Sequence, residues 1–133
     1  MIVRSPEAQL HGISIGGMHC SMGGQTSLKD SVHLDLSQFN QILNFDRENK
    51  LITVQTGISW RKVIEFIDQY GLSVIVMQSY ADFTVGGSLS VNVHGRHIGH
   101  GSISETVVEM KMVLGKLEKI NRKLIKHSFI YSF

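Results

Sequence analysis

Between Thr84 and Gly101 the chain runs Thr-Val-Gly-Gly-Ser-Leu-Ser-Val-Asn-Val-His-Gly-Arg-His-Ile-Gly-His-Gly. Glycine takes five of these positions and small polar residues fill most of the gaps, so the stretch has too little side chain to build a core. Backbone of this kind is suited to approaching something closely. Gly86 and Gly87 have access to dihedrals closed to other residues and leave room beside the chain. The pattern predicts a short helix over 88–93 whose first N–H groups point at an anion. Phosphate is the usual guest of such an arrangement.

A second stretch of the same kind comes earlier: Gly16-Gly17-Met18-His19-Cys20-Ser21-Met22-Gly23-Gly24-Gln25-Thr26, preceded by a strand-like Ile13-Ser14-Ile15. Two glycine-rich loops, each beside a regular element, suggest a ligand with more than one phosphate. Neither loop contains Gly-Lys-Ser/Thr, which excludes a Walker A motif, and neither reads Gly-x-Gly-x-x-Gly.

The two loops, with Val-Gln-Thr-Gly-Ile-Ser-Trp between them, resemble the two pyrophosphate loops of the PCMH-type FAD-binding domain. This is the vanillyl-alcohol oxidase / p-cresol methylhydroxylase family of flavoproteins. The resemblance runs from Ile13 to Leu114, and the motifs in this order are far more specific together than either alone. It implies FAD as cofactor, held by Gly16, Gly17, Met18, His19, Cys20, Ser21, Gly23, Gly24 and Gln25 of the first loop. From the second it implies Thr84, Gly86, Gly87, Ser90, Asn92, His94 and Gly95.

Composition sets the outer bounds. At 133 residues the chain is one domain at most, and its apolar content of 42% allows a core. Residues 1–115 carry 8 basic and 10 acidic side chains, a net of −2, and residues 116–133 carry 5 and 1, a net of +4. By charge the body is not a nucleic-acid binder, and the tail is a different kind of sequence. A single cysteine excludes an intrachain disulfide framework and fits a reducing compartment. With neither a transmembrane-length apolar run nor a signal-peptide core, the expected location is cytoplasmic.

Periodicity supplies the elements. Val32–Leu36 alternates with period two and predicts a half-buried strand. Asn40–Phe45 and Leu51–Gln55 flank a polar turn at 46–50 and read as a hairpin. Ser59 is a plausible N-cap for a helix whose apolar face holds Trp60, Val63, Ile64, Ile67 and Tyr70, with Gly71 as its stop. Ser73–Val76 and Thr106–Leu114 are two more strand candidates. The expected class is α+β: a mixed β-sheet with flanking helices, as in a partial FAD-binding domain. Its expected span is 13–115, N-terminally shortened because little precedes Ile13. Residues 116–133 then form a divergent basic tail, read as a truncated or frameshifted end. Leu117, Ile120 and Leu124 at helical spacing leave open a membrane-surface helix.

In the resembled family a first-loop histidine often bonds covalently to the flavin. Alignment from Gly16-Gly17 forward puts His19 at that place, and alignment back from Ser21–Gln25 puts Cys20 there. A low-pKa thiolate can in principle attack the same carbon. Binding through backbone N–H groups with no covalent link stands beside both. His94, His97 and His100 invite a zinc reading. The glycines among them argue against a shared helix face, so no metal is expected. Arg96 neutralises phosphate or is a solvated surface residue. Trp60, Met77, Met110 and Met112 read as core. Asp82, Glu105 and Glu109 look isolated, and none is assigned as a general base.

The resulting expectation is the FAD-binding module of a flavin-dependent oxidoreductase. In an intact relative the substrate gives a hydride to the flavin, and oxygen or another acceptor reoxidises it. The substrate domain is absent from this sequence, so a separate chain is a possible partner and the isolated chain is expected to turn over little. The alternative is a non-catalytic remnant or interaction module that binds FAD weakly or not at all.

Overall fold

A computed structural model describes residues 12–112, together with the backbone of 125–127 and 131–132. Its elements in order are β1 (Gly12–Gly16), β2 (Ser31–Asp35), β3 (Ile42–Asp46), β4 (Leu51–Val54), α1 (Trp60–Asp68) and β5 (Leu72–Ser73). Then come α2 (Val85–Ser90), a 3-10 turn (Ile103–Thr106), β6 (Val108–Met110), β7 (Ile125–His127) and β8 (Tyr131–Ser132).

The strands pair two by two: β1 with β2 in parallel, and β3 with β4, β5 with β8 and β6 with β7 antiparallel. Parallel and antiparallel ladders thus both occur, as in a mixed sheet, but no described strand has two partners. The hairpin closes where its polar turn predicts. Asp46 accepts from the backbone N–H of Asn49 at 3.0 Å and from its side-chain amide at 2.7 Å, and Lys50 takes φ +56°.

Helix α1 forms for the reasons its sequence gives. Ser59 Oγ accepts from the Lys62 N–H, and Gly71 at φ +68° turns the chain out of the helix. Trp60, Val63 and Ile67 fall on one face and are buried, joining Ile58, Leu72, Val76, Val85 and Ile103 in the core. Burying each aliphatic side chain in that set stabilises the fold by about 1.5–3 kcal/mol. Tyr70 lies past the helix end but packs on Phe45, ring centroids 4.8 Å apart.

Several elements differ from their sequence pattern. The strand expected over 73–76 is only Leu72–Ser73, and Val76 stays buried outside any ladder. Of the strand expected over 106–114, Val108–Met110 forms, and residues 113 and 114 lie outside the described residues. The residues ahead of this strand coil into the 3-10 turn, which Thr106 closes by donating to the Ile103 carbonyl at 2.8 Å. The helix expected over 88–93 starts three residues earlier, at Val85, and ends at Ser90, where Asn92 at φ +48° breaks the repeat. Met77 packs against the core and Met110 is half-buried, but Met112 is 49% exposed and is not core. Leu117, Ile120 and Leu124 of the basic tail lie outside the described residues.

The parallel pair β1–β2 has its polar face covered. Ser14 is buried against Ser31 and His33, whereas Ile13 and Ile15, on the opposite face of the strand, are 64% and 55% exposed.

Candidate functional site

The short segment between the two loops, Thr56–Ser59, seats the second one. Val85 N–H donates to the Ile58 carbonyl and Gly86 N–H to the Thr56 carbonyl, both at 2.8 Å, and Ser59 forms a bridge with Thr84. Only glycine fits at position 86: a Cβ there would fall on Thr56 Oγ1. Gly57 is equally confined, since its Cβ would strike the Leu36 carbonyl oxygen. The first loop reaches the second at Gly17, where a Cβ would stand 3.1 Å from the Thr84 side chain.

A cleft of about 810 Å³ opens where these segments meet. Gly16, Gly17, Met18, His19, Cys20, Ser21, Gly23 and Gln25 line it from the first loop, and Thr84, Gly86, Gly87 and Ser90 from the second. Gly24, Asn92, His94 and Gly95 do not line it. Gly24 takes φ +69°, and Asn92 Oδ1 turns away to accept the N–H of Ser104 at 3.2 Å. His94 is exposed and bridges to Ser102, and Gly95 packs against the Met77 carbonyl, where a Cβ would collide. Arg96 is exposed, and His97 and His100 meet edge to face at 5.6 Å.

Two sequence expectations about this wall need correction. Gly86 and Gly87 have no positive φ, because both sit in the first turn of a right-handed helix; what they supply is space. Nor are the first N–H groups of α2 free for an anion. Those of Val85 and Gly86 go to Ile58 and Thr56, that of Gly87 to Thr84 Oγ1 at 3.1 Å, and that of Ser88 to the Thr84 carbonyl.

The free donors are on the other wall. The backbone N–H groups of Met18, His19, Cys20, Ser21 and Met22 have no acceptor among the described residues. All five residues line the cleft, and His19 in their midst takes φ +52°. Successive unpaired N–H groups around a left-handed residue form an anion-holding concavity. No lysine, arginine or carboxylate lines the cleft among the described residues, so an anion held there meets dipoles and no buried charge.

His33, which sequence reading passed over, supports this loop from β2. Its ring stacks on His19 with centroids 5.8 Å apart. The Ser31 hydroxyl donates to the Leu28 carbonyl, and Ser14 Oγ lies 3.2 Å from Ser31 Oγ and 2.9 Å from His33 Nδ1. His33 Nε2 is buried beside Gly16 with no partner among the described residues. Two residues along β2, Asp35 accepts the Ser37 N–H at 2.9 Å, which holds its carboxyl below the ordinary range. Asp82 is not isolated: Arg61 donates to both its oxygens, at 2.6 and 3.0 Å, and that pairing lowers the carboxyl.

Sequence reading also missed Thr56, Gly57, Gln78, Phe83 and Ser88 among the residues lining the cleft. The Thr-Gly pair inside the quoted Val54–Trp60 motif signals the first two; Gln78 has no sequence signature.

A cleft walled by glycine on one side and by unpaired N–H groups on the other fits a pyrophosphate-bearing cofactor. Comparison with known proteins agrees. Residues 2–120 match the FAD binding domain family. The L-galactono-1,4-lactone dehydrogenase of Arabidopsis thaliana mitochondria is 30% identical over 102 residues, 77% of this chain and 15% of that protein. The L-gulonolactone oxidase of Mus musculus is 27% identical over 99 residues, 74% of this chain and 22% of that one. The D-lactate dehydrogenase of Anaerostipes hadrus is 29% identical over 114 residues, 84% and 24%. The chain thus spans less than a quarter of the length of these relatives. With a match over nearly its whole length, the chain belongs to the FAD binding domain family, and its cofactor is FAD.

Proposed function

We propose that the FAD pyrophosphate is held by the backbone N–H groups of Met18–Met22, with Gly86 and Gly87 leaving space for it on the facing wall. The observation that carries this reading is the run of five N–H groups without an acceptor among the described residues, on a cleft that no described lysine, arginine or carboxylate lines. When bound, FAD supplies hydride acceptance, and this chain's residues supply binding and exclusion of water.

The module serves an FAD-linked oxidoreductase with a mixed α+β fold. The chain spans less than a quarter of the length of these relatives, and we assign the substrate-side groups to another domain or a separate chain. Relatives named for sugar lactones and for D-lactate suggest small hydroxylated acids and lactones as substrates.

The test is titration of the purified protein with FAD, followed by flavin fluorescence quenching and gel filtration. Co-elution of one FAD per chain supports the reading. A folded protein that takes up no FAD overturns it in favour of an interaction module.

A further inference from the structure

Three side chains beside the cleft form a hydrogen-bond chain whose direction is fixed. The indole Nε1–H of Trp60 donates to Ser88 Oγ at 2.8 Å, and Ser88 Oγ lies 2.9 Å from Gln78 Oε1. An indole nitrogen only donates, so the Ser88 hydroxyl accepts there and has one hydrogen left to give. Ser88 is 1% exposed, and its hydrogen goes to Gln78. The other end of the Gln78 amide faces the Tyr80 carbonyl, which only accepts, so that end is Nε2 and the end facing Ser88 is its oxygen.

That orientation decides what the other end presents. Gln78 Nε2 carries two hydrogens. One goes to the Tyr80 carbonyl at 2.8 Å, and the second has no acceptor among the described residues. Gln78 and Ser88 both line the cleft. The Tyr80 carbonyl at one end and the buried Ser88 hydroxyl at the other thus hold which face of the amide the cleft meets.

We propose that Gln78 is a further cofactor-binding residue that donates its second Nε2–H to a hydrogen-bond acceptor of FAD, with Ser88 and Trp60 as positioning residues. The proposal rests on the FAD reading above. A neutral, oriented donor suits an oxygen acceptor, either a phosphate oxygen or a carbonyl of the flavin ring. The cleft offers no lysine or arginine for that task among the described residues.

The experiment measures dissociation constants for FAD, and for ADP by competition, in the native chain, Gln78→Glu, Gln78→Met and Ser88→Ala. Gln78→Glu keeps the acceptor toward Ser88 and loses the donor. It should weaken FAD by at least about tenfold, with some loss of melting temperature because the Tyr80 carbonyl loses its donor as well. Ser88→Ala releases the oxygen end of the amide, loosens its position and should weaken FAD by a smaller factor. An equal loss for ADP places the acceptor on the phosphates; a loss for FAD alone places it on the flavin. Native FAD affinity in folded Gln78→Glu overturns the proposal, and should that variant not fold, native affinity in Gln78→Met does so. Failure of the native chain itself to bind FAD overturns the cofactor site as a whole.

Discussion

Gly86 rests on Thr56 so closely that a methyl group on it would meet Thr56 Oγ1 and come within 2.9 Å of the Thr56 carbonyl oxygen. The next glycine is different. Outside its own helix, a methyl group on Gly87 would approach only Thr84 Oγ1, at 3.0 Å. Adjacent glycines therefore serve separate ends: Gly86 lets α2 sit on the Thr56–Ser59 segment, and Gly87 keeps the cleft wall bare.

Gly86→Ala is expected to lower stability by about 1–3 kcal/mol through overpacking, with FAD binding lost as α2 shifts. Gly87→Val is expected to keep the fold and lose FAD binding, because its side chain fills cleft space. Thermal melts paired with FAD titrations separate the two effects. A folded Gly87→Val protein with native FAD affinity would contradict the assignment.

The flavin is expected to be non-covalent. His19 is held against His33, and the Cys20 thiol turns back to the Met18 carbonyl at 3.6 Å. Covalent attachment needs a nucleophile fixed at the flavin and a ring held still. Acid precipitation should release yellow supernatant and leave a protein of unmodified mass. A mass increase of one FAD refutes this, and Cys20→Ala and His19→Ala would then identify the attachment point.

The described portion carries apolar surface on its first strand, with Ile13 and Ile15 more than half exposed, and on its first loop, where Met22 is fully exposed. A parallel two-stranded ladder with a bare apolar face favours association. The isolated chain is expected to self-associate, and Ile13→Thr with Ile15→Thr to increase the monomer fraction in light scattering. A native chain that is a monodisperse monomer at high concentration would count against this.

Acid should weaken the tie between α1 and the segment leading into α2. Asp82 has its carboxyl lowered by Arg61, so its contribution is fully present above the ordinary value of 3.8 and is lost as pH falls through the lower folded value. Both side chains are partly exposed, so the effect is small and weakens further in salt. Asp82→Asn is expected to flatten the acid limb of a melting-temperature profile below about pH 4 while leaving the neutral side little changed. An unaltered acid limb in that variant would remove Asp82 from the account.

The sequence alone determined the local elements and the ligand class. The spacing of Trp60, Val63 and Ile67 between Ser59 and Gly71 fixed a buried helix, and the turn after Asp46 fixed a hairpin, because capping and periodicity act over a few residues. Two glycine-rich loops flanking Val54–Trp60 carried the FAD resemblance. The tertiary structure decided which loop offers donors. The N–H groups at the start of α2, which look available in sequence, are taken by Thr56, Ile58 and Thr84, and those of Met18–Met22 find no acceptor among the described residues. It also brought Gln78 to the cleft through Ser88 and Trp60. The reason is the same in both cases: a hydrogen bond between segments far apart in sequence leaves no periodic trace in either, and only their packing determines which donors remain free.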